Sequence, residues 1–473
     1  MKANLNLKMY YKYFILLFII FTARVQSQNL GFTLPDIEAY QLNNGMRILI
    51  SPNYESPIIN ISIHINAGKI DDPMDRPGLG AFTFFALNDG TNKYPKKDQL
   101  REKLFSLGNT QGEFRKMIFE DDYAQISNLC LKEDTRDCIE IFSEVLRYPT
   151  FPFYNKLMQK LVLLWAPNAV FVGSNNSTWY HAKYMYGGLI QYFNPGEQLS
   201  YSRKKAVNWY NDYIRPENIT LMISGDINYI YIKKLINEYF SDWEPSVELS
   251  ENKESNNIKV IDNSGINITF TSLEDETEAR ILILKKTTEL NEFWDPAMQM
   301  ALYVFSQSRR EKIYQKIDKA GWIGCNWAQS NRMPYFNVYS GMYYNYLDKF
   351  YSELISEFEN LSNNSITDEE LRSAKITRIN DYQNKLYDIN KLEDFIQYYY
   401  NQNGYSLEKI PQMIDDINAV TLDEVNAAAK KVFDPDNFVM SIAGNQDSCA
   451  TFLGQFSNIE YYEAAEEIRV SNK

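Results

Sequence analysis

One stretch of this chain is written twice. Tyr213–Asp226 (YIRPENITLMISGD) returns 219 residues later as Val432–Asn445 (VFDPDNFVMSIAGN). In both copies a helix ends near a proline, an asparagine makes the turn, and a short apolar strand runs into Gly plus Asp or Asn. The same displacement sets Asn60–Ile65 against Ala279–Leu284, two further strand-like segments. A similar displacement sets Asp122–Ser127 against Pro334–Tyr339. A shared offset across separate segments is the mark of an internal duplication, so the chain should fold as two related units.

Each unit mixes strands with long helices. Apolar periodicity predicts helices over 96–107 and 135–147 in the first unit, and over 347–361 and 368–386 in the second. Thr367-Asp368-Glu369-Glu370 is an N-cap followed by acids that suit a helix N-terminus. Short turns such as Asn43-Asn44-Gly45 join neighbouring strands, which implies mostly antiparallel sheet and an α+β class built of two α/β-sandwich halves. Residues 245–257 are polar and charged without apolar periodicity and read as a linker. The expected organisation is a signal peptide over 1–28, a first domain over 29–244, the linker, and a second domain over 258–473.

Lys2, Lys8 and Lys12 precede an apolar run from Phe14 to Phe21 that is too short to cross a bilayer, and Val25-Gln26-Ser27 offers small residues for cleavage. This is the pattern of a secretory signal, with a retained anchor as the alternative because Arg24 follows the run closely. The expected location is periplasmic or secreted. Residues 1–28 carry four positive charges and no negative one, so the remainder carries −17 against −13 for the whole chain. That balance excludes a nucleic-acid partner, which needs basic patches. Four cysteines are too few for a disulfide scaffold. A Cys130–Cys138 bridge and a pair of buried free thiols both stay open. Arg309-Arg310-Glu311-Lys312 reads as a solvated charged helix face, and Tyr398-Tyr399-Tyr400 as groove lining or as alternating core and rim. There is no phosphate-binding loop, dinucleotide fingerprint or serine-hydrolase elbow.

The chemistry is clearest at Gly78–Thr91 (GLGAFTFFALNDGT). Its frame closely resembles the zinc helix of insulinase/pitrilysin-type peptidases, in which an inverted H-x-x-E-H motif sets two histidines on one helical face beside a catalytic glutamate. Those three places fall here on Ala81, Phe84 and Phe85, none of which has a lone pair for Zn²⁺ or a proton to exchange. The family's remaining ligand, a glutamate on a later helix, falls near Ala166, and no Asp or Glu occurs from Leu146 to Pro195. The two histidines, His64 and His181, have no ligand partners at useful spacing. No cofactor or metal is expected.

The resemblance runs through nearly the whole chain. Tyr40–Leu49 is similar to the family's entry strand, Ala67–Pro73 to its A-G-S-R-D-E-P turn, and Phe336–Gly341 to its F-x-I-Y-A-G strand. It implies two halves that enclose a chamber. In active members an Arg, and a Tyr seven residues later, hold the substrate; the Tyr place falls on Gly324 and the Arg place on Ile317 or Asp318. The family's substrate-binding edge strand maps to Gly112, Glu113 and Phe114, without its usual N-A-x-T signature. The implied role is a catalytically inactive homologue, the non-catalytic partner of a zinc-bearing peptidase subunit that shapes the chamber and selects peptides. The alternative is a stand-alone peptide-binding or structural protein.

Overall fold

The computed structural model describes residues 34–463 apart from 74–75, 77, 153–201, 245–264, 274–275, 286–294, 329–334, 389–390 and 403. The proposed signal peptide, the linker, Ala166 and His181 lie outside the described residues.

Two six-stranded sheets organise the described residues. The first contains β1 (Glu38–Gln41), β2 (Arg47–Pro52), β3 (Ile58–Ile65), β4 (Lys116–Phe119), β5 (Ala124–Leu131) and β6 (Ile219–Gly225), in the order β1-β2-β6-β3-β5-β4. The second contains β7 (Ile266–Ser272), β8 (Ala279–Lys285), β9 (Trp322–Ala328), β10 (Tyr335–Met342), β11 (Phe438–Gly444) and β12 (Ile459–Glu463), in the order β12-β7-β11-β8-β10-β9. The duplicated segments take the same slot: β6 and β11 each lie parallel to one neighbour and antiparallel to the other. The other two matches hold as well, with β3 standing where β8 stands and β5 where β10 stands. The halves differ at one border, where β1 is antiparallel to β2 but β12 is parallel to β7.

Helices form at Thr135–Arg147, Leu347–Ser362 and Asp368–Tyr387, each within a residue of its predicted ends, and at Lys97–Ser106. Thr367 caps as expected, its hydroxyl accepting from the Glu370 amide while Glu370 accepts from the Thr367 amide. In the Asn43–Gly45 turn, Gly45 takes φ +90°, and the buried Asn44 side chain donates to the carbonyls of Phe240 and Trp243.

The charged run at 309–312 is a solvated face only in part, with Glu311 and Lys312 exposed. Arg309 is buried and donates to Glu357 (2.8 Å), Glu370 (2.8 Å) and the Ser365 carbonyl (2.8 Å). A buried guanidinium needs this much compensation, and its partners lie 48 to 61 residues away, beyond any local pattern. Burial pushes the Glu370 carboxyl up, but the Arg309 hydrogen bond and the Thr367 amide outweigh it and bring it down to about 2. Cys130 and Cys138 are both buried and unbridged.

The halves meet chiefly through one helix, with Tyr405 beyond its end adding contacts to Arg47 and Asn66. In β3, Ile59, Ile61, Ile63 and Ile65 face the core beneath the first half's helices, and Asn60, Ser62 and His64 alternate onto the other face. That alternation would suit a solvated face, yet Asn60, Ser62 and His64 are buried too. Helix Leu392–Gln402, from the second half, lies across it. Gln397 donates to the carbonyls of Ser62 (3.0 Å) and Thr220 (2.9 Å) and accepts from the Ser62 hydroxyl (2.7 Å). Thr220 donates to Asn401 (2.8 Å), and Ser224 contacts Glu393 (2.6 Å). Lys116 and Gln125 both bind Asp394, at 2.5 and 2.6 Å. Each such bond is worth about 1 kcal/mol net, and leaving its partners bare would cost more.

Burial pushes the Glu393 carboxyl well above the usual range, the Ser224 hydrogen bond working against it and the Asp394 charge with it. The folded state therefore prefers the neutral acid. The stability this contributes is complete below the ordinary carboxyl value and is lost as pH rises. Glu393→Gln, which is neutral at every pH, is expected to raise stability at pH 8 by about 1 kcal/mol or more and to leave it nearly unchanged at pH 4. Urea denaturation at the two pH values checks this.

Candidate functional site

The zinc-like helix forms where expected, over Leu79–Phe85. Gly78 precedes it with φ +87°, and Asp72 caps it, accepting from the amides of Gly78 (2.7 Å) and Gly80 (2.6 Å). Burial lifts the Asp72 carboxyl to about 7, against the pull of those two amides. A Cβ on Gly80 would meet Trp209, Asp72 and Phe119 at 2.6–2.7 Å. The helix is thus pressed close against its neighbours, which include helix Arg203–Tyr213.

The three vacated positions are treated differently. Phe84, at the glutamate place, is fully buried with its ring 5.6 Å from Phe119, which in turn lies 5.8 Å from Trp209. Ala81 is half-buried against the same core. Phe85, at the second histidine place, is 47 % exposed. Packing closes the glutamate position, therefore, but not the outer face of the helix. The residue set does not fit a zinc ion: alanine and two phenylalanines supply no donor, and among the described residues no group of three or more His, Cys, Asp or Glu side chains could hold one.

The Arg/Tyr places are filled by structural residues. Ile317 is buried, while Asp318 sits at a turn with φ +55° and binds Lys349 at 2.9 Å. Gly324 lies in β9 opposite Tyr339 in β10, whose ring would meet a Cβ on Gly324 at 2.3–2.7 Å. A tyrosine at 324 would require Tyr339 to leave. Gly112, Glu113 and Phe114 lie in the bend before the edge strand β4, which begins at Lys116. Gly112 takes φ +64° against the Arg101 backbone, Phe114 packs on Phe142 at 5.2 Å, and Glu113 is exposed.

Of a second constellation the sequence reading marks only the tyrosine run at 398–400. Between the halves lies a cavity of about 500 Å³. The first half contributes His64, Lys116, Tyr123 and Gln125 to its wall. The second contributes Tyr303 and Trp327, packed edge to face at 5.1 Å, with residues of helices Asp368–Tyr387 and Leu392–Gln402. Tyr398 and Tyr399 line it, so the tyrosine run serves both as core and as cavity wall.

Much of the polar wall is paired within itself. Arg378 donates to the Tyr303 hydroxyl (2.8 Å) and the Tyr399 hydroxyl (3.3 Å) and lies over the ring of Tyr382 at 4.2 Å. Lys385 binds Asp381 at 3.0 Å. His64 stacks on Tyr123 at 4.9 Å and 8°. Burial lowers its imidazole to about 3, a hydrogen bond with Asn66 working against this and the Lys116 charge with it, so the ring is neutral near pH 7. Its Nε2 is buried without a hydrogen-bond partner.

Comparison with known proteins shows what the chain is similar to. Residues 200–377 match the family model described as "Peptidase M16 inactive domain". A curated relative, "Probable zinc protease PqqL" of Haemophilus influenzae, is 24% identical over 259 residues, which is 50% of this chain but 26% of that protein. The match thus spans about a quarter of the relative's length. Among solved structures, a protease from Helicobacter pylori superposes with a TM-score of 0.74 at 14% identity, covering 87% of this chain and 100% of that one. The first half of the periplasmic protease PqqL from Escherichia coli superposes with a TM-score of 0.69 at 14% identity, covering 93% of this chain and 97% of that one. At such identity the structures show a shared fold of two halves.

Restoring the family's acid at one position is expected to damage the fold rather than the chemistry. Phe84→Glu buries a carboxyl among Phe119 and neighbouring core residues and should cost more than about 3 kcal/mol. Phe85→His, on the exposed face, should cost less than about 0.5 kcal/mol. Guanidinium denaturation of both variants checks the contrast.

Proposed function

We propose that this relative of the M16-type peptidases is the non-catalytic subunit of a heteromeric zinc peptidase, working in the periplasm or outside the cell. The observation that carries the reading is Phe84, set into the core where the motif requires a catalytic glutamate. A chain that kept the helix, its Asp72 cap and its close packing has kept the shape of a chamber wall while giving up the metal. In this reading a zinc-bearing partner chain supplies the metal. This chain would then complete the chamber and help select the peptides that enter.

Residues 29–244 and 258–473 form the two domains in this reading, joined by 245–257, with 1–28 removed on export. The periplasmic setting of the E. coli protease favours that export. Among the described residues no helix is long and apolar enough to cross a membrane.

One observation favours a second reading. Ile317 and Gly324 leave the Arg/Tyr pair unfilled, so the chain also lacks what a helper half would lend to a zinc-bearing partner's chemistry. A stand-alone peptide-binding or structural protein would have this double loss.

Native mass spectrometry of the protein purified from its host, with zinc quantified in the same sample, separates the two. A one-to-one complex with a homologous chain carrying one zinc is expected. A metal-free monomer or homodimer would move the assignment to the second reading. In the isolated chain, the combined substitution Ala81→His, Phe84→Glu, Phe85→His is expected to bind no stoichiometric zinc, because Ala166 still withholds the last ligand. Metal analysis after gel filtration reads this directly.

A further inference from the structure

We propose that Cys130 and Cys138 are a disulfide-forming pair, closed by thiol–disulfide exchange as the chain folds in an oxidising compartment. Cys130 lies in β5, and Cys138 lies near the start of helix Thr135–Arg147. Along β5, Ile126, Asn128 and Cys130 alternate onto one face, and Ile126 and Cys130 both belong to the first half's core. On the helix, Cys138, Ile141, Phe142 and Val145 form a buried stripe within the same core. Asn128, beside Cys130 on that strand face, donates to the Cys138 Sγ at 3.6 Å. A hydrogen bond with the Cys138 thiol, and then burial, push the Cys130 thiol well above its ordinary value. The connection between the two elements is short and pinned. The Lys132 amide donates to the Pro57 carbonyl (3.1 Å), and the Thr135 hydroxyl donates to the Lys132 carbonyl (2.6 Å). The fold thus brings the two sulfurs together before any bond joins them.

Burial also fixes when the bond can form. Cys130 is 4 % exposed and Cys138 1 %, and a thiol held in its protonated form is a poor nucleophile. Exchange therefore belongs to the folding chain, before the helix has packed on the sheet. One cysteine, as its thiolate, attacks a sulfur of an oxidant disulfide; a mixed disulfide forms and the oxidant's other sulfur leaves as a thiolate. The second cysteine, having lost its proton, attacks the chain's own sulfur in that mixed disulfide. This closes the Sγ–Sγ bond and expels the oxidant's remaining sulfur. The chain gives up two protons and two electrons, and the oxidant takes them up as two thiols. Both cysteines belong to the first half, so the bond needs no residue of the second. The oxidising setting rests on the export proposed above, whereas the pairing is a property of the fold.

The test is disulfide mapping by mass spectrometry with free thiols trapped by alkylation. It is applied to the protein purified from its host, and to the reduced chain refolded in a mixture of oxidised and reduced glutathione. Trypsin places the two cysteines in separate peptides, Met117–Lys132 and Asp137–Arg147. In both samples the two peptides are expected as one linked species, lighter by two hydrogens than their sum, with Cys325 and Cys449 alkylated. The oxidised chain should melt about 5 °C above the reduced chain, as closing a short loop implies. The double variant Cys130→Ala, Cys138→Ala should melt alike in oxidising and reducing buffer. Alkylation of both Cys130 and Cys138 after refolding, a bond from either to Cys325 or Cys449, or an oxidised chain no more stable than the reduced one would each overturn the proposal. A bridge after refolding beside free thiols in the host protein would support the pairing and overturn the export reading instead.

Discussion

The seam between helix Leu392–Gln402 and the first sheet is the constraint on which the rest of the molecule depends. A sheet whose second face carries Asn60, Ser62, His64, Thr220 and Ser224 can be left in water, or it can be covered by something that answers each polar group. Here it is covered, by a helix that brings Glu393, Asp394, Gln397 and Asn401. Substituting these residues by apolar ones on one side alone would strand their partners, so the two faces are bound to each other chemically as well as sterically. The cavity exists because the covering is incomplete toward β4 and β9, each the last strand of its sheet.

Helix Leu79–Phe85, which resembles the family's metal helix, shows a related economy. A cluster of carboxylate and imidazole without its ion would leave unpaired buried groups, and phenylalanine at position 84 replaces that liability with contacts to Phe119. With Phe84 in the core, metal chemistry at this helix would require more than new ligands, because an acid at 84 must enter a space already filled with aromatic rings. Phe85 is held by no such constraint, and its exposure leaves an apolar ring on the helix face where a metal ligand would stand.

Much of the architecture was legible in the sequence because it is carried by local or repeated signals. The duplicated Tyr213–Asp226 and Val432–Asn445 segments lead into strands with the same neighbours in each sheet, and the Thr367 cap starts the helix it was expected to start. What escaped is what long-range contact decides. The polar alternation of β3 reads as a wet face unless residue 397 is known to lie against residue 62, a separation of 335 in sequence. Arg309 reads as solvated until Glu357 and Glu370 arrive beside it. The same holds for the cavity. His64 has no neighbour in sequence that marks it, and its surroundings come from five separate stretches of chain. By contrast, that Ala81, Phe84 and Phe85 offer no metal donor is a matter of side-chain identity alone and needs no long-range contact to be read.

The seam also sets the order in which the molecule can become whole. Helix Leu392–Gln402 begins 167 residues after β6 closes the first sheet. At ordinary elongation rates of about 5–20 residues per second, roughly ten to thirty seconds pass between the two events. Throughout that interval the first sheet has every strand it needs and one side with nothing to answer its polar groups. The newborn chain therefore spends its most vulnerable period as a finished half waiting for a lid, and whatever attends it during synthesis or export meets that open side first.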